Sequence, residues 1–105
     1  YNNYFEWEIH VFHANFPKMV GNTFMGDISL SFNKALLFEN NRMYGKLNYG
    51  DVSTQWWNYR IHDNIFYNEG VESTGHHSEI RYNNFVDSAY LYLHYSDNIV
   101  SDNNF

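Results

Sequence analysis

Apolar and polar residues alternate over short stretches of this chain, which predicts β-strands rather than helices. In the segment ISLSF, residues Ile28, Leu30 and Phe32 would point to one face of a strand and the two serines to the other. Two further stretches, EWEIHV and AYLYLHY, follow the same period, and their predicted inward residues are Trp7, Ile9, Val11, Leu91 and Leu93. The alternation therefore predicts an all-β protein in which one face of each strand is buried.

A second pattern runs through the whole chain: an asparagine with an apolar residue three positions before it and Phe, or once Met, two positions after it. These anchor asparagines recur at intervals of 19, 19, 23, 19 and 20 residues, and they are Asn3, Asn22, Asn41, Asn64, Asn83 and Asn103. A unit of about 20 residues cannot bury an apolar face alone, so it must stack on its neighbours. The aromatic residues that follow the anchors are predicted to line the core, namely Phe5, Phe24, Phe66, Phe85 and Phe105.

The apolar-x-x-Asn-x-apolar phrase resembles the repeats of the right-handed parallel β-helix found in the pectin-lyase-like superfamily. The resemblance covers essentially the whole chain and implies about five coils of about 20 residues. It also implies an internal ladder of the anchor asparagines, whose amides can pair the backbone groups of a buried bend. A leucine-rich repeat has a similar period but needs several leucines in each unit, which this chain lacks.

Neither end of the chain resembles the polar capping unit that closes a solenoid. The first residues already contain an anchor phrase, and the last residues are the anchor phrase NNF. We therefore expect residues 1–105 to form a single, incomplete β-helix domain that is completed by the remainder of a parent chain.

Composition narrows the function classes. Aromatic residues make up 21% of the chain and asparagine occurs 16 times, which suits strands joined by tight turns. There is no cysteine, so disulfides and thiolate metal sites are excluded. A net charge of −6 argues against nucleic acid as a partner, and no apolar run is long enough to predict a membrane span.

Carboxylates are predicted to form a column on the outward side of the longer strand. Glu8 and Asp27 each lie five residues after an anchor, and Asp51 could continue the column in the coil that is four residues longer. Such a column could bind Ca²⁺, or two of its members could act as general acid and base in glycoside hydrolysis. It could equally be a solvated acidic stripe.

Other residues are candidates for acid–base chemistry and for ligand contacts. Lys46 and Arg42 are predicted to lie in the enlarged loop of the longest coil, where Lys46 could act in catalysis and Arg42 could bind a substrate carboxylate. His76 and His94 are candidate acids or bases on the outward side. Three aromatic residues there could stack on sugar rings, namely Trp57, Tyr90 and Tyr92. Arg60 and Glu79 share a register and are expected to form a surface ion pair.

The resemblance implies an extracellular or cell-surface protein that acts on a polysaccharide, either as a lyase or as a glycoside hydrolase. Enzymes, adhesins and phage fibres share this fold, so the fold alone does not decide the function. A non-catalytic carbohydrate-binding or surface-adhesion protein is the second hypothesis, and a structural fibre or tail-spike segment is the third.

Overall fold

The computed structural model describes residues 3–12, 16–31, 35–50, 58–74, 77–94 and 98–105. Within these ranges there is no helix, and so none that could cross a membrane. The strands are β1 (Tyr4–Phe5), β2 (Ile9–Phe12), β3 (Lys18–Val20), β4 (Thr23–Phe24), β5 (Ile28–Ser31), β6 (Ala35–Glu39), β7 (Arg42–Met43), β8 (Leu47–Gly50), β9 (Asn58–His62), β10 (Ile65–Tyr67), β11 (Val71–Ser73), β12 (Ser78–Arg81), β13 (Asn84–Val86), β14 (Leu91–Leu93) and β15 (Ile99–Ser101).

The strands form three parallel sheets, and each coil of the chain contributes one strand to each sheet. Sheet 1 contains β1, β4, β7, β10 and β13; sheet 2 contains β2, β5, β8, β11 and β14; sheet 3 contains β3, β6, β9, β12 and β15. The first and last strands of a sheet are separated by about four turns of about 19 residues. The predicted parallel β-solenoid of stacked coils is therefore confirmed.

Strand pairing shows where the longest coil carries its extra residues. Leu47 in β8 pairs with Ile28 in β5, which is the regular 19-residue step. Three residues separate β5 from β6, whereas seven residues, 51–57, separate β8 from β9. The prediction that Arg42 and Lys46 lie in an enlarged loop is therefore wrong, because Arg42 belongs to β7 and Lys46 directly precedes β8. The hydrophobic pattern could not locate the end of β8, and so it could not locate the insertion.

The six anchor asparagines form the predicted ladder at the corner between sheet 3 and sheet 1. The backbone N–H of Asn41 donates to Oδ1 of Asn64 at 2.9 Å, and the backbone N–H of Asn64 donates to Oδ1 of Asn83 at 2.9 Å. The same bond joins Asn3 to Asn22, Asn22 to Asn41 and Asn83 to Asn103. These bonds pair backbone groups that a buried bend would otherwise leave without a partner.

A second set of ladder bonds reaches back across the corner. The Nδ2 group of Asn64 donates to the carbonyl of Phe38 at 2.8 Å. Asn41, Asn83 and Asn103 make the equivalent bond to the carbonyls of Met19, Ile61 and Ile80. The amides of these four asparagines thus join neighbouring coils through both of their polar atoms.

Aromatic rings fill the core behind this ladder. Phe5 stacks on Phe24 with ring centroids 5.1 Å apart, and Phe66 stacks on Phe85 at 5.0 Å. Phe38 bridges the coil in which Met43 replaces phenylalanine, since its ring lies 5.7 Å from that of Phe24 and 6.2 Å from that of Phe66. Phe24, Phe66 and Phe85 are buried and Phe5 is partly buried, which confirms these four predicted core positions.

Two predicted core residues are exposed. Phe105 continues the stack at 4.7 Å from Phe85, but 69% of it is accessible because it lies on the last described coil. Trp7 is 81% exposed, and its predicted inward position is wrong. It lies in the corner that precedes β2, where the backbone turns and strand alternation does not apply.

Candidate functional site

The outward surface of sheet 2 collects most of the predicted site residues that the structure describes. Ile9, Ile28 and Leu47 pair across β2, β5 and β8 with their side chains directed inward, so the residues before and after them point outward. We call this surface the sheet 2 face and define it by the outward residues Glu8, His10, Asp27, Ser29, Lys46, Asn48, Glu72, Tyr90, Tyr92 and His94.

Glu8 and Asp27 occupy neighbouring places in one column of the sheet 2 face. Adjacent strands lie about 4.8 Å apart, so the backbones of these residues are neighbours, and both side chains line one cleft. The next place in the column belongs to Lys46, whose backbone N–H donates to Oδ1 of Asp27 at 2.7 Å. Lys46 thus follows Asp27 in the column, and Asp51, which was predicted to continue it, lies outside the described residues.

The described residues do not supply a set of calcium ligands. Ca²⁺ takes six to eight oxygen ligands, whereas Glu8 and Asp27 are followed in their column by a lysine. Among the residues that the structure describes, no group of three or more histidine or carboxylate side chains is placed to hold a metal. A site that includes Asp51 stays a prediction.

Lys46, Glu72 and Tyr90 form a hydrogen-bonded cluster further along the same face. Nζ of Lys46 lies 3.3 Å from Oε2 of Glu72, and the hydroxyl of Tyr90 donates to Oε1 of the same carboxylate at 3.4 Å. Hydrogen bonding to Glu72 and the charge of that carboxylate raise the pKa of Lys46. Partial burial, followed by the charge of Glu72, raises the pKa of Tyr90. Both groups therefore remain protonated at neutral pH, which suits Lys46 as a cation and not as a general base.

Glu72 is a site residue that the sequence analysis missed. It pairs in register with Asn48 of β8 and with Tyr92 of β14. The signal was present in the sequence, because alternation in the segment VES places Glu72 outward between two inward residues.

A cleft of about 210 Å³ opens on the sheet 2 face between its first three coils. Glu8, His10, Asp27, Lys46 and Asn48 contribute to its lining. Nε2 of His10 lies 3.4 Å from Oε2 of Glu8, so these two side chains form one edge. Carboxylate, imidazole, amide and ammonium groups thus converge on one small polar depression.

Exposed aromatic rings lie at both ends of this face. Tyr92, in β14, is 54% exposed, and its ring meets that of His94 edge-on at 4.9 Å. Tyr90 lies beside it. Near the other end, Trp7 lies in the corner before Glu8 and borders a wider cavity of about 460 Å³ whose lining includes the core residues Phe5 and Ile9.

The predicted candidates divide into three groups. One face brings together Glu8, Asp27, Lys46, Tyr90, Tyr92 and His94. Arg42 is exposed on sheet 1, where it pairs with Thr23 and Ile65, and so it does not belong to this face. Asp51, Trp57 and His76 lie outside the described residues. The expected ion pair of Arg60 and Glu79 is present on sheet 3, with Nε and Oε2 3.9 Å apart.

Comparison of this chain with protein-family models, curated proteins and solved structures found no match.

Proposed function

We propose that the sheet 2 face binds an extended carbohydrate chain, and that this solenoid is a pectin-lyase-like protein that meets its glycan outside the cell or at the cell surface. The observation that supports the proposal is the arrangement of this face. Exposed Tyr90 and Tyr92 lie at one end of a row of hydrogen-bonding side chains, and exposed Trp7 lies in the corner directly before Glu8 at the other end.

The arrangement suits a sugar polymer for two reasons. Aromatic side chains offer flat apolar surfaces to the apolar faces of sugar rings, and tyrosine and tryptophan do so at sites that remain partly wet. Carboxylate, amide and ammonium groups supply the acceptors and donors that hydroxyl groups need. The strand spacing repeats these groups about every 4.8 Å over five strands, so the face is about 19 Å long and favours a linear ligand over a compact one.

Hydrolysis of the bound chain is the second candidate function, and one observation favours it. Glu8 and Asp27 directly precede the paired strands β2 and β5, whose backbone spacing of about 4.8 Å is similar to the carboxyl separation of about 5 to 5.5 Å in retaining glycoside hydrolases. The backbone N–H of Lys46 donates to Oδ1 of Asp27 at 2.7 Å, which fixes the orientation of this carboxylate beside the cleft. In such a reaction Glu8 would protonate the leaving oxygen and Asp27 would attack the anomeric carbon.

The test is a binding and turnover screen against soluble oligosaccharides of defined composition, with and without EDTA. We expect at least one glycan to bind and Tyr92→Ala to weaken its binding by about tenfold, since that change removes one stacking platform. Tyr82→Ala is the matched control, because Tyr82 is an equally exposed tyrosine (55%) at the corner between sheet 3 and sheet 1.

The outcomes separate the candidates. Release of reducing ends that Glu8→Gln and Asp27→Asn both abolish would establish hydrolysis. Turnover of a uronate polymer that EDTA abolishes would instead support a calcium-dependent lyase that uses Asp51. Binding without turnover leaves the carbohydrate-binding function, and an equal loss in the Tyr92 and Tyr82 variants, or no binding by any glycan, would refute it.

A further inference from the structure

We infer that the sheet 2 face selects glycans that carry no acidic groups. Glu72 sets this selectivity because it pairs with Lys46, the cation that a uronate would need. The inference rests on the proposed glycan-binding function and specifies its ligand class. It starts from the charges on the face. Lys46 is the only lysine or arginine among the described residues of the sheet 2 face, which also carries the carboxylates of Glu8, Asp27 and Glu72.

The ammonium group of Lys46 is already paired. Its Nζ lies 3.3 Å from Oε2 of Glu72, and the hydroxyl of Tyr90 holds the other oxygen of that carboxylate at 3.4 Å. About a third of each side chain of the ion pair is exposed, so a ligand can approach it. A glycan carboxylate would nevertheless have to displace Glu72 from an ion pair that Tyr90 supports.

A uronate that approached Lys46 would also meet unfavourable charge. Asp27 lies next to Lys46 in its column and Glu8 lies one place further, so both carboxylates line the cleft beside the ammonium group. Like charges at such distances repel, and that repulsion discriminates between ligands as effectively as an attraction does. The net charge of −6 also repels an anionic glycan from further away, and this long-range repulsion is strongest when the salt concentration is low.

Neutral sugars neither need to displace Glu72 from Lys46 nor meet repulsion from the carboxylates of Asp27 and Glu8. A hydroxyl group can donate to Asp27 or Glu8 and can accept from Asn48 or from the remaining N–H groups of Lys46. Hydrogen bonds between hydroxyl groups and carboxylates are charge-assisted and short, so the acidic lining that repels a uronate strengthens the binding of a neutral chain.

Glu72→Gln tests this inference because it releases Lys46 while keeping the shape of the side chain. Affinities for neutral hexasaccharides and for a hexa-uronate of the same length would be measured by calorimetry in dilute buffer. Glu79→Gln is the matched control. It changes the net charge by the same amount on sheet 3, where Glu79 contacts Arg60 and His62 and not the sheet 2 face.

We expect the native protein to bind a neutral hexasaccharide at least about tenfold more tightly than the hexa-uronate. We expect Glu72→Gln to raise hexa-uronate affinity several-fold, and Glu79→Gln to leave it within about twofold. A native preference for the uronate, or an equal gain in both variants, would overturn the inference. A hexa-uronate gain in Glu72→Gln without binding of any neutral ligand would support carbohydrate binding and overturn the inferred preference for neutral glycans. Absence of all binding would refute both.

Discussion

Each corner between sheet 3 and sheet 1 depends on a residue in the left-handed region of backbone conformation. The residue before each anchor from Asn22 onward has a positive φ of 56–70°, and these residues are Gly21, Asn40, Asp63, Tyr82 and Asp102. Glycine, asparagine and aspartate tolerate this conformation, whereas a bulky side chain there is strained by about 1 kcal/mol. Tyr82, with φ of 58°, is therefore the residue in this column that is least suited to its backbone.

Replacement of Tyr82 should consequently stabilise the protein. We expect Tyr82→Asn to raise the free energy of unfolding by about 1 kcal/mol, because it relieves the strain and sacrifices little burial from a side chain that is 55% exposed. Urea denaturation would measure the change. Tyr92→Asn is the control, since Tyr92 is 54% exposed but lies within β14. Asparagine disfavours strands, so a gain in both variants would contradict the explanation.

Individual residues were predictable where one repeat determines both their position and their environment. The anchor asparagines and the phenylalanines that follow them were located from sequence, since the same phrase recurs at each corner. The exposed position of Trp7 could not be predicted in this way, because strand alternation does not hold in the corner where the chain turns before β2. The repeat period shows that the coil between Asn41 and Asn64 is four residues longer than most. It does not show where in the coil those residues lie, and so Lys46 could not be placed correctly from sequence.

Tyr49 connects strands across the interior. It points inward from β8, and its hydroxyl donates to Oγ of Ser78 in β12 at 2.9 Å. Its ring centroid lies 4.8 Å from that of Tyr59 in β9. Both tyrosines are buried, and burial raises the pKa of Tyr49 to about 12. This side chain thus joins sheet 2 to sheet 3 as a neutral hydrogen-bond donor.

The raised pKa makes stability sensitive to alkaline pH. Below pH 10 Tyr49 is protonated in both states, whereas between pH 10 and about 12 the unfolded chain loses the proton and the folded protein keeps it. The free energy of unfolding should therefore fall by about 2 to 3 kcal/mol over this interval on account of Tyr49 alone.

Tyr49→Phe should remove that part of the alkaline decline. At pH 8 it should cost about 1 kcal/mol, since it leaves Ser78 without this hydrogen bond. Denaturation at a series of pH values from 8 to 12 would show the flatter curve. Tyr4→Phe, at an exposed position, is the control, and a decline of equal size in native protein and Tyr49→Phe would show that Tyr49 does not carry it.

At the scale of the whole molecule, stability passes from coil to coil. In the described part of the chain, each coil packs on its neighbours through the three sheets, so the energy of the array is approximately a sum of coil and interface contributions. The repeat period was enough to predict this architecture. The outward face was predicted only in part, because Glu72 was overlooked and Asp51, Trp57 and His76 lie outside the described residues.

The ladder gives this architecture a measurable consequence. Asn64 is 1% exposed, accepts from Asn41 and donates to the carbonyl of Phe38, and coils cover it on both sides. Asn103 makes the equivalent bonds to Asn83 and Ile80 but is only half-buried on the last described coil. The chemistry of the two sites is therefore matched, and their access to water differs.

Asn64→Ala should cost far more than Asn103→Ala. The first leaves two buried backbone groups without partners, for a loss of about 3 kcal/mol, while water can replace the amide at position 103 and limit the loss to about 1 kcal/mol. Asn64→Ala should also lower the urea m-value, because a weakened central interface lets the coils on either side unfold separately. Equal losses and unchanged m-values would mean that the ladder acts locally at each corner and does not couple the coils.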